Sequence, residues 1–302
     1  TAEIFLANMD YAQVAGAVVV QELIDGIQND YLEEVKRKYA ERFFVFGMFD
    51  FFNGSPVRQV EELYGRGFRG IAIPGHRLIL NDRRVYLNSP EMMEMFKLME
   101  RKGMILSICL AENHQQMDEI KEVIAECPEL KIAIGHFGMV TQPGWEEQIM
   151  LARNKNVYVE SGGITWLFNS EFYPYPSAVR AIREAIDMVG AEKLMWGSDY
   201  PRTITAITYK MSYDFILKTD VLTDKEKALF LGENAVDLST CKQTSCRRHA
   251  KHEYKNNQKM KAVQIVAPNE MRVTEIEKPV LGAGEVLVKI KYVGFCGSDL
   301  NT

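Results

Sequence analysis

The 302-residue chain lacks any apolar run approaching the roughly 20 residues that a membrane-spanning helix needs. Its N-terminus, Thr1-Ala-Glu-Ile, also lacks the basic stretch and following apolar stretch of a secretory signal. Five irregularly spaced cysteines are too few for a disulfide framework, so Cys109 and Cys127 are predicted to be buried thiols in a reducing compartment. With 47% hydrophobic and 25% charged residues, the sequence predicts a soluble, globular, cytoplasmic protein that does not bind membranes.

An excess of positive charge occurs in one segment of the chain. The chain carries 36 Lys and Arg against 41 Asp and Glu, a net charge of −5. Residues 239–260 hold six of the cations and a single anion, so the part before them is strongly acidic. An acidic body argues against binding to nucleic-acid phosphates. We expect residues 239–259 to form a disordered basic linker, with a nucleic-acid-binding arm as the alternative.

The same linker contains four residues of the types that bind zinc: Cys241, Cys246, His249 and His252. Small zinc modules usually separate their ligand pairs by a loop and pack apolar residues around the metal. Neither feature is present, so the sequence does not favour a zinc site in the linker.

Short apolar runs alternate with amphipathic segments along the first part of the chain. The apolar runs are typical of buried parallel strands and cover residues 17–21, 43–49, 70–73, 104–109, 131–134, 157–160 and 194–196. The helical segments have apolar residues three and four positions apart and cover residues 2–11, 31–39, 57–66, 90–102, 115–126, 145–154 and 178–189. This alternation predicts an α/β fold, either a (β/α)8 TIM barrel or a doubly wound sheet.

The TIM barrel is favoured because no Gly-x-Gly-x-x-Gly motif follows the first apolar run, as a nucleotide-binding sheet would require. A barrel needs eight strands, and the pattern shows seven. We therefore expect the first barrel strand to lie upstream of Thr1, with its position in the sheet vacant or filled by another strand.

Two residues directly follow predicted strands, where barrel active sites are built. His136 follows Ile132-Ala-Ile-Gly, and Asp199 follows Leu194-Met-Trp-Gly-Ser. An imidazole and a carboxylate at neighbouring strand ends can bind a metal or activate a water molecule. The alternative is structural, with His136 as a core histidine and Asp199 as a helix cap.

Four further residues are candidate substrate-binding groups. His76 and Arg77 follow the 70–73 strand, and Arg202 follows the Asp199 turn, so each is placed to meet an anionic or hydroxylated ligand. Trp166 begins an aromatic loop that is suited to stacking on sugar rings. The alternatives are surface solvation of the charged side chains and simple coverage of the barrel mouth by the loop.

Four motifs in order give residues 2–238 a family resemblance: Ile134-Gly-His136-Phe-Gly138, Asn156-Val-Tyr-Val-Glu160-Ser-Gly162, Lys193-Leu-Met-Trp-Gly-Ser-Asp199-Tyr-Pro201 and Gly232-Glu-Asn234-Ala235. This region resembles the amidohydrolase-related (amidohydrolase 2) family, in the branch that includes sugar lactonases and aromatic-acid decarboxylases. The resemblance implies a TIM barrel in which Asp199 binds a metal or activates water. It also implies that His136 contacts metal or substrate.

The sequence departs from that family at two metal-binding positions. The family's first strand normally carries a His-x-His pair, which this chain lacks, and the family's fifth strand ends in a histidine where this chain has Ser107-Ile-Cys109. Cys109, Glu112 and His114 are nearby alternatives. Loss of that histidine resembles the metal-independent lactonases. The sequence therefore leaves two possibilities: the site binds one divalent ion such as zinc, held by Asp199 and His136, or it binds no metal.

The last 43 residues carry a second resemblance. Met260-Lys-Ala-Val-Gln, Pro279-Val-Leu-Gly-Ala-Gly284 and Gly294-Phe-Cys296-Gly-Ser298-Asp299 resemble the beginning of a zinc-dependent medium-chain alcohol dehydrogenase, a short GroES-like β-rich fragment. The resemblance implies a vestigial zinc ligand at Cys296 and a proton relay at Ser298. The remaining zinc ligands are not in the chain, so no dehydrogenase activity is expected. Either two neighbouring genes have been joined or the chain is part of a bifunctional fusion.

The sequence as a whole predicts a hydrolase that acts on a small-molecule lactone or amide, with a sugar lactone favoured. The alternatives are a decarboxylase of the same family and an inactive, truncated fusion product. The sequence does not predict an oligomeric state.

Overall fold

The computed structural model describes residues 1–111, 115–239, 259–267 and 270–277. The chain divides into two compact units, Thr1–Cys246 and Arg247–Thr302. Several sequence predictions fall outside the described residues: those for Glu112, His114, Cys296 and Ser298, and for the cysteines and histidines of the linker.

Seven parallel strands form the centre of the first unit, as predicted. Their bounds are β1 Ala17–Val19, β2 Phe43–Val45, β3 Gly70–Pro74, β4 Ile105–Cys109, β5 Lys131–Ile134, β6 Val157–Glu160 and β7 Leu194–Met195. They lie side by side in chain order: β1 pairs with β2, and β3 to β7 form one sheet. A single parallel bridge between Gly47 and Ile71 joins the two groups. The alternation therefore gives a parallel, TIM-barrel-like α/β fold.

Helices connect the strands. They are α1 Ala2–Tyr11, α2 Asn29–Lys38, α3 Pro56–Gly65, α4 Pro90–Arg101, α5 Met117–Glu126, α6 Trp145–Met150, α7 Ile164–Leu167, α8 Pro176–Val189, α9 Met211–Lys218, α10 Asp224–Ala228 and α11 Asn234–Ser239. Local sequence sets several of their beginnings. At α3, the Ser55 hydroxyl accepts a hydrogen bond from the Arg58 amide and Pro56 occupies the first turn, which is a favourable start for a helix. At α10, Thr223 and Glu226 form a capping box.

The core lies on both faces of the sheet. Every residue of β3 is buried, and Ile71, Leu106, Ile132 and Val159 have no exposed surface. On the helices, the apolar face of α4 is buried, including Met95 and Met99. Strands covered on both faces are continuously apolar, which is why they appear in the sequence as short apolar runs.

Within the described residues, no strand pairs with both β1 and β7. An aromatic cluster instead links the end of β7 to β2 through α1. The Phe5 ring of α1 stacks on Tyr200, with centroids 4.4 Å apart, and also lies 5.7 Å from the ring of Phe43 in β2. Tyr209 contacts both Phe5 and Trp196, which follows β7. The outer face of β1 stays open, with Val18 45% exposed.

The described part of the second unit is an antiparallel hairpin. Its strands are β8 Lys259–Ala267 and β9 Glu270–Glu277. The register is regular from Lys259 to Ile265 and shifts between Ile265 and Ala267.

Replacement of Phe5 by Ala tests the aromatic cluster. The ring is partly buried among three other rings, so its loss is expected to lower the free energy of unfolding by about 2 kcal/mol, roughly half the cost of removing a fully buried ring. Urea denaturation measures this change. Ile4→Ala is the matched control on the same helix, because Ile4 is 57% exposed; its effect should stay within about 0.5 kcal/mol. Equal effects of the two variants would contradict the role given to the cluster.

Candidate active site

The carboxyl ends of three adjacent strands carry the candidate catalytic groups. Gly135 and His136 follow β5, Glu160 ends β6, and Asp199 follows β7. The backbones of His136 and Asp199 have φ angles of 55° and 51°. Residues with side chains rarely adopt this left-handed conformation, and such residues cluster at functional turns.

The His136 ring is fixed by the neighbouring turn. Its Nδ1 lies 2.8 Å from the carbonyl oxygen of Gly162. A carbonyl oxygen only accepts hydrogen bonds, so Nδ1 carries the proton in this contact. Cys109, at the end of β4, also lies at this group, since a Cβ at Gly135 would be 2.5 Å from its Sγ. The backbone N–H of His136 donates to Glu160 Oε1 at 3.1 Å, so both the ring and the backbone of this residue are held.

The Glu160 carboxylate lies between the three strand ends. Its Oε2 accepts a hydrogen bond of 2.6 Å from the Gly162 amide, in addition to the bond from His136 to Oε1. Three glycines surround it. A Cβ at Gly135 would lie 2.9 Å from Oε1, and a Cβ at Gly162 or Gly197 would lie 2.7 or 2.0 Å from Oε2. The carboxylate therefore occupies space that exists only because these three positions lack side chains.

Burial and charge shift the pKa values of this group in opposing ways. Burial raises the pKa of Glu160, against the effects of His136 and of the two backbone amides, and the Asp199 charge raises it further. Burial alone would lower the pKa of His136. The charge and hydrogen bond of Cys109, the charge of Glu160 and the Gly162 carbonyl outweigh burial and raise this pKa to about 10.

The Asp199 carboxylate is anchored by Trp166. The indole Nε1–H donates to Asp199 Oδ2 at 2.6 Å, which leaves Oδ1 unused by this contact. The Arg202 guanidinium lies 3.6 Å from the centroid of the Trp166 ring, and the His136 ring meets the same indole edge-on at 5.7 Å. The structure thus brings together four of the predicted residues, with Trp166 in contact with the other three.

His76 and Arg77 lie in the turn after β3. The Nε of Arg77 donates to Glu22 Oε1 at 3.0 Å, and the Arg77 side chain is 40% exposed, while His76 is exposed. The ion pair joins the turn after β3 to the segment after β1. A substrate-binding role for His76 and Arg77 stays a prediction.

A cleft of about 310 Å³ adjoins Trp166. Its walls include the aromatic loop predicted from the sequence, with Phe172, Tyr173 and Tyr175, and Thr203 and Ile207 from the segment after β7. Phe172 is 92% exposed at its edge. Its aromatic walls suit a ring, but His136, Asp199 and Arg202 do not line it, so it adjoins the strand-end residues through Trp166.

Among the described residues, no group of three or more His, Cys, Asp or Glu side chains is arranged to hold a metal ion. Catalytic zinc takes three protein ligands. Glu160 is already bonded to two backbone amides, and His136 and Asp199 are only two ligands. The described residues alone therefore do not fit the metal that the family implies, and the prediction of a zinc ion held by Asp199 and His136 depends on further ligands.

Glu160 was not among the residues singled out from the sequence. It is a charged residue at the end of a buried apolar strand, directly before Ser161 and Gly162, and that combination was a usable signal. Of the two predicted buried thiols, Cys127 is buried and Cys109 is half-buried because it faces the strand ends.

Replacement of Gly135 by Ala tests the crowding at the strand ends. The new Cβ would lie 2.5 Å from Cys109 Sγ and 2.9 Å from Glu160 Oε1, so we expect a loss of about 1–3 kcal/mol in the free energy of unfolding, measured with urea. Gly65→Ala is the matched control in α3, because nothing lies within 4 Å of its Cβ position. That variant should be neutral or more stable by up to about 1 kcal/mol. A neutral Gly135→Ala variant would show that the site is looser than the structure indicates.

Comparison with known proteins places this arrangement in a family. Residues 1–238 match the amidohydrolase family model. The uncharacterized protein y4mH of Sinorhizobium fredii is 28% identical over 192 residues, which are 58% of this chain and 62% of that protein. The starvation-sensing protein RspB of Escherichia coli is 50% identical over 40 residues, which are 13% of this chain and 12% of RspB. The chain thus spans less than two thirds of the length of either relative.

Three solved structures share the fold at low sequence identity. An amidohydrolase from Burkholderia multivorans with bound zinc has a TM-score of 0.65 and 16% identity, covering 78% of this chain and 87% of that one. A probable 2-pyrone-4,6-dicarboxylic acid hydrolase from Acinetobacter baumannii, with citric acid bound, has a TM-score of 0.64 and 20% identity, covering 79% of this chain and 88% of that one. The 5-carboxyvanillate decarboxylase LigW from Sphingomonas paucimobilis has a TM-score of 0.56 and 18% identity, covering 79% of this chain and 82% of that one.

No helix in the described part of the chain is long and apolar enough to cross a membrane.

The family match covers well over half of the chain, and it spans the strand ends that carry His136, Glu160 and Asp199. The chain belongs to the amidohydrolase family.

Proposed function

We propose that the first unit is a hydrolase that opens a lactone ring by activating water at Asp199. The observation that carries this proposal is the placement of the Asp199 carboxylate, held through Oδ2 by Trp166, beside an imidazole whose orientation is fixed by Gly162. The family and the fold are consistent with a hydrolase or a decarboxylase. The Acinetobacter neighbour is named for hydrolysis of a pyrone, which is a cyclic ester.

The chemistry needs one base and one orienting group. The free oxygen of Asp199 takes a proton from water as the water oxygen attacks the lactone carbonyl carbon. His136 contacts the substrate and orients its carbonyl group. When the ring C–O bond breaks, the proton on Asp199 passes to the departing ring oxygen, which gives a hydroxy acid and restores the carboxylate.

Neighbouring side chains suit a cyclic, hydroxylated or anionic substrate. The cleft beside Trp166 has aromatic walls on which a ring can stack. The Arg202 guanidinium lies over the indole and offers donors to a carboxylate or hydroxyl group. A sugar lactone is the substrate that we favour, with an amide as the other hydrolytic substrate.

Decarboxylation of an aromatic acid is the second candidate, because LigW shares the fold and is named for that reaction. A 2,6-dihydroxybenzoate decarboxylase does so as well, with a TM-score of 0.58. Zinc is bound in the Burkholderia neighbour. In this chain the described residues do not fit such an ion by themselves, so His136 and Asp199 would hold it only together with further ligands.

The division of the chain is also a proposal. We propose an amidohydrolase-like barrel at residues 1–238, a basic linker at 239–259 and an alcohol-dehydrogenase-like fragment at 260–302, with Cys296 as a vestigial zinc ligand. The described hairpin of β8 and β9 is compatible with a β-rich fragment. On this division, activity belongs to the first unit.

A substrate panel tests the reaction. The full chain is incubated with glucono-1,5-lactone, 2-pyrone-4,6-dicarboxylate and 2,6-dihydroxybenzoate, with and without added Zn²⁺, and both acid release and carbon dioxide are measured. We expect opening of a lactone without release of carbon dioxide. Carbon dioxide from the aromatic acid, with both lactones untouched, would favour the decarboxylase. No turnover of any compound would favour the inactive chain.

Replacement of Asp199 by Asn tests the base. Asn has the same size but cannot take a proton, so kcat for the best lactone should fall about 100-fold to 10,000-fold. Asp220→Asn is the matched control, since Asp220 is exposed in the segment between α9 and α10. Cys296→Ser should leave kcat unchanged if the second unit takes no part. An Asp199→Asn enzyme with near-normal turnover, or a Cys296→Ser enzyme without it, would contradict the assignment.

A further inference from the structure

We propose that Glu160 is a positioning residue that fixes both His136 and the turn leading to Asp199, so that one carboxylate sets the geometry of the catalytic pair. The catalytic roles of His136 and Asp199 rest on the proposed function, whereas the positioning itself can be measured without turnover. Glu160 reaches the reaction only through other residues and need not touch the substrate.

A closed set of hydrogen bonds surrounds His136. Glu160 accepts from the His136 amide at 3.1 Å and from the Gly162 amide at 2.6 Å. The Gly162 carbonyl in turn accepts from Nδ1 of His136 at 2.8 Å. The carboxylate therefore holds the backbone of His136 directly and holds its ring through Gly162, so movement of Glu160 changes both.

The Glu160 carboxylate also contacts the turn after β7. A Cβ at Gly197 would lie only 2.0 Å from Glu160 Oε2, so the backbone of this turn packs directly against the carboxylate. The Gly197 amide also donates to Ser161 Oγ at 3.3 Å, next to Glu160 in the chain, and Ser161 is fully buried. Asp199 is two residues beyond Gly197, so its backbone position depends on the same packing.

A simple space-filling role makes a different prediction. A residue that only fills the space left by Gly135, Gly162 and Gly197 is replaceable by Gln, which has nearly the same shape. A residue that accepts from two converging backbone N–H groups is not, because the Gln NH₂ group would face one of those donors. The Glu160→Gln variant therefore separates positioning from filling.

The test has a kinetic and a spectroscopic part. For the lactone that the wild-type chain opens best, Glu160→Gln should lower kcat by roughly 100-fold, the cost of a small misplacement of catalytic groups, while KM stays near its wild-type value. In proton-detected NMR of the full chain labelled with ¹⁵N-histidine, the hydrogen-bonded Nδ1–H resonance of His136 should be visible in the wild type. It should be lost in the variant. The chain has five histidines, and His136→Gln assigns the signal.

A second variant displaces the Glu160 carboxylate and leaves Glu160 itself unsubstituted. Gly197→Ala places a methyl group against Glu160 Oε2, so the same resonance should weaken or shift and kcat should fall. Glu226→Gln is the matched control. Glu226 also accepts a backbone N–H, from Thr223 at 2.8 Å, but lies in the capping box of α10, so kcat and the His136 resonance should be unchanged.

The positioning role of Glu160 is supported or contradicted by each possible result. A folded Glu160→Gln chain with an unchanged His136 resonance and normal kcat would overturn the proposal. The same losses in Glu226→Gln would also overturn it, because they would reflect general destabilisation. If Glu160→Gln does not fold, an unchanged resonance in Gly197→Ala overturns the proposal and a shifted one supports it. If the wild type opens no lactone, the proposed function fails, and the resonance still reports on Glu160.

Discussion

The arrangement of the strand ends depends on a carboxylate that is bonded to the backbone rather than to a cation. A carboxylate removed from water is costly unless hydrogen bonds replace its hydration. Glu160 meets that requirement with the amides of His136 and Gly162, which belong to two different turns. The need to satisfy one buried acid therefore ties the end of β5 to the end of β6, and the glycine at position 197 lets β7 approach the same point.

The parallel sheet makes this convergence possible. All seven strands of the first unit run in the same direction, so their carboxyl ends, with the turns that follow them, meet on one side. Trp166 then connects the groups that the turns present, since its indole contacts Asp199, His136 and Arg202. In the described residues, aromatic rings connect the end of β7 to β2, with Phe5 between Tyr200 and Phe43.

The sequence was sufficient for the elements and for part of the site. Buried parallel strands produce apolar runs, so the predicted strands at residues 131–134 and 157–160 agree with the structure. The predicted helices agree to within about two residues, except that the one at 145–154 ends at Met150. β2 was predicted to continue to residue 49 but ends at Val45, because the following residues make only the isolated bridge at Gly47. His136 and Asp199 could be selected because position after a strand depends only on local sequence. The hydrogen bonds of Asp199 to Trp166 and of Arg77 to Glu22 could not be predicted in this way, because they join residues 33 and 55 positions apart in the sequence. Glu160 carries a local signal, as a charged residue at the end of an apolar strand, but its partners are glycines and backbone amides, which have no side-chain signature.

A crystal structure of the full chain with the hydroxy-acid product of the lactone that it opens would test the central claim most directly. If the catalytic groups are those at the ends of β5 and β7, the product carboxylate will accept a hydrogen bond from His136 and the new product hydroxyl will donate one to Asp199. Glu160 will keep its bonds to the amides of His136 and Gly162. A product bound instead at Arg77, after β3, with the Asp199 carboxylate bonded to Trp166 and not to the product, would contradict the account.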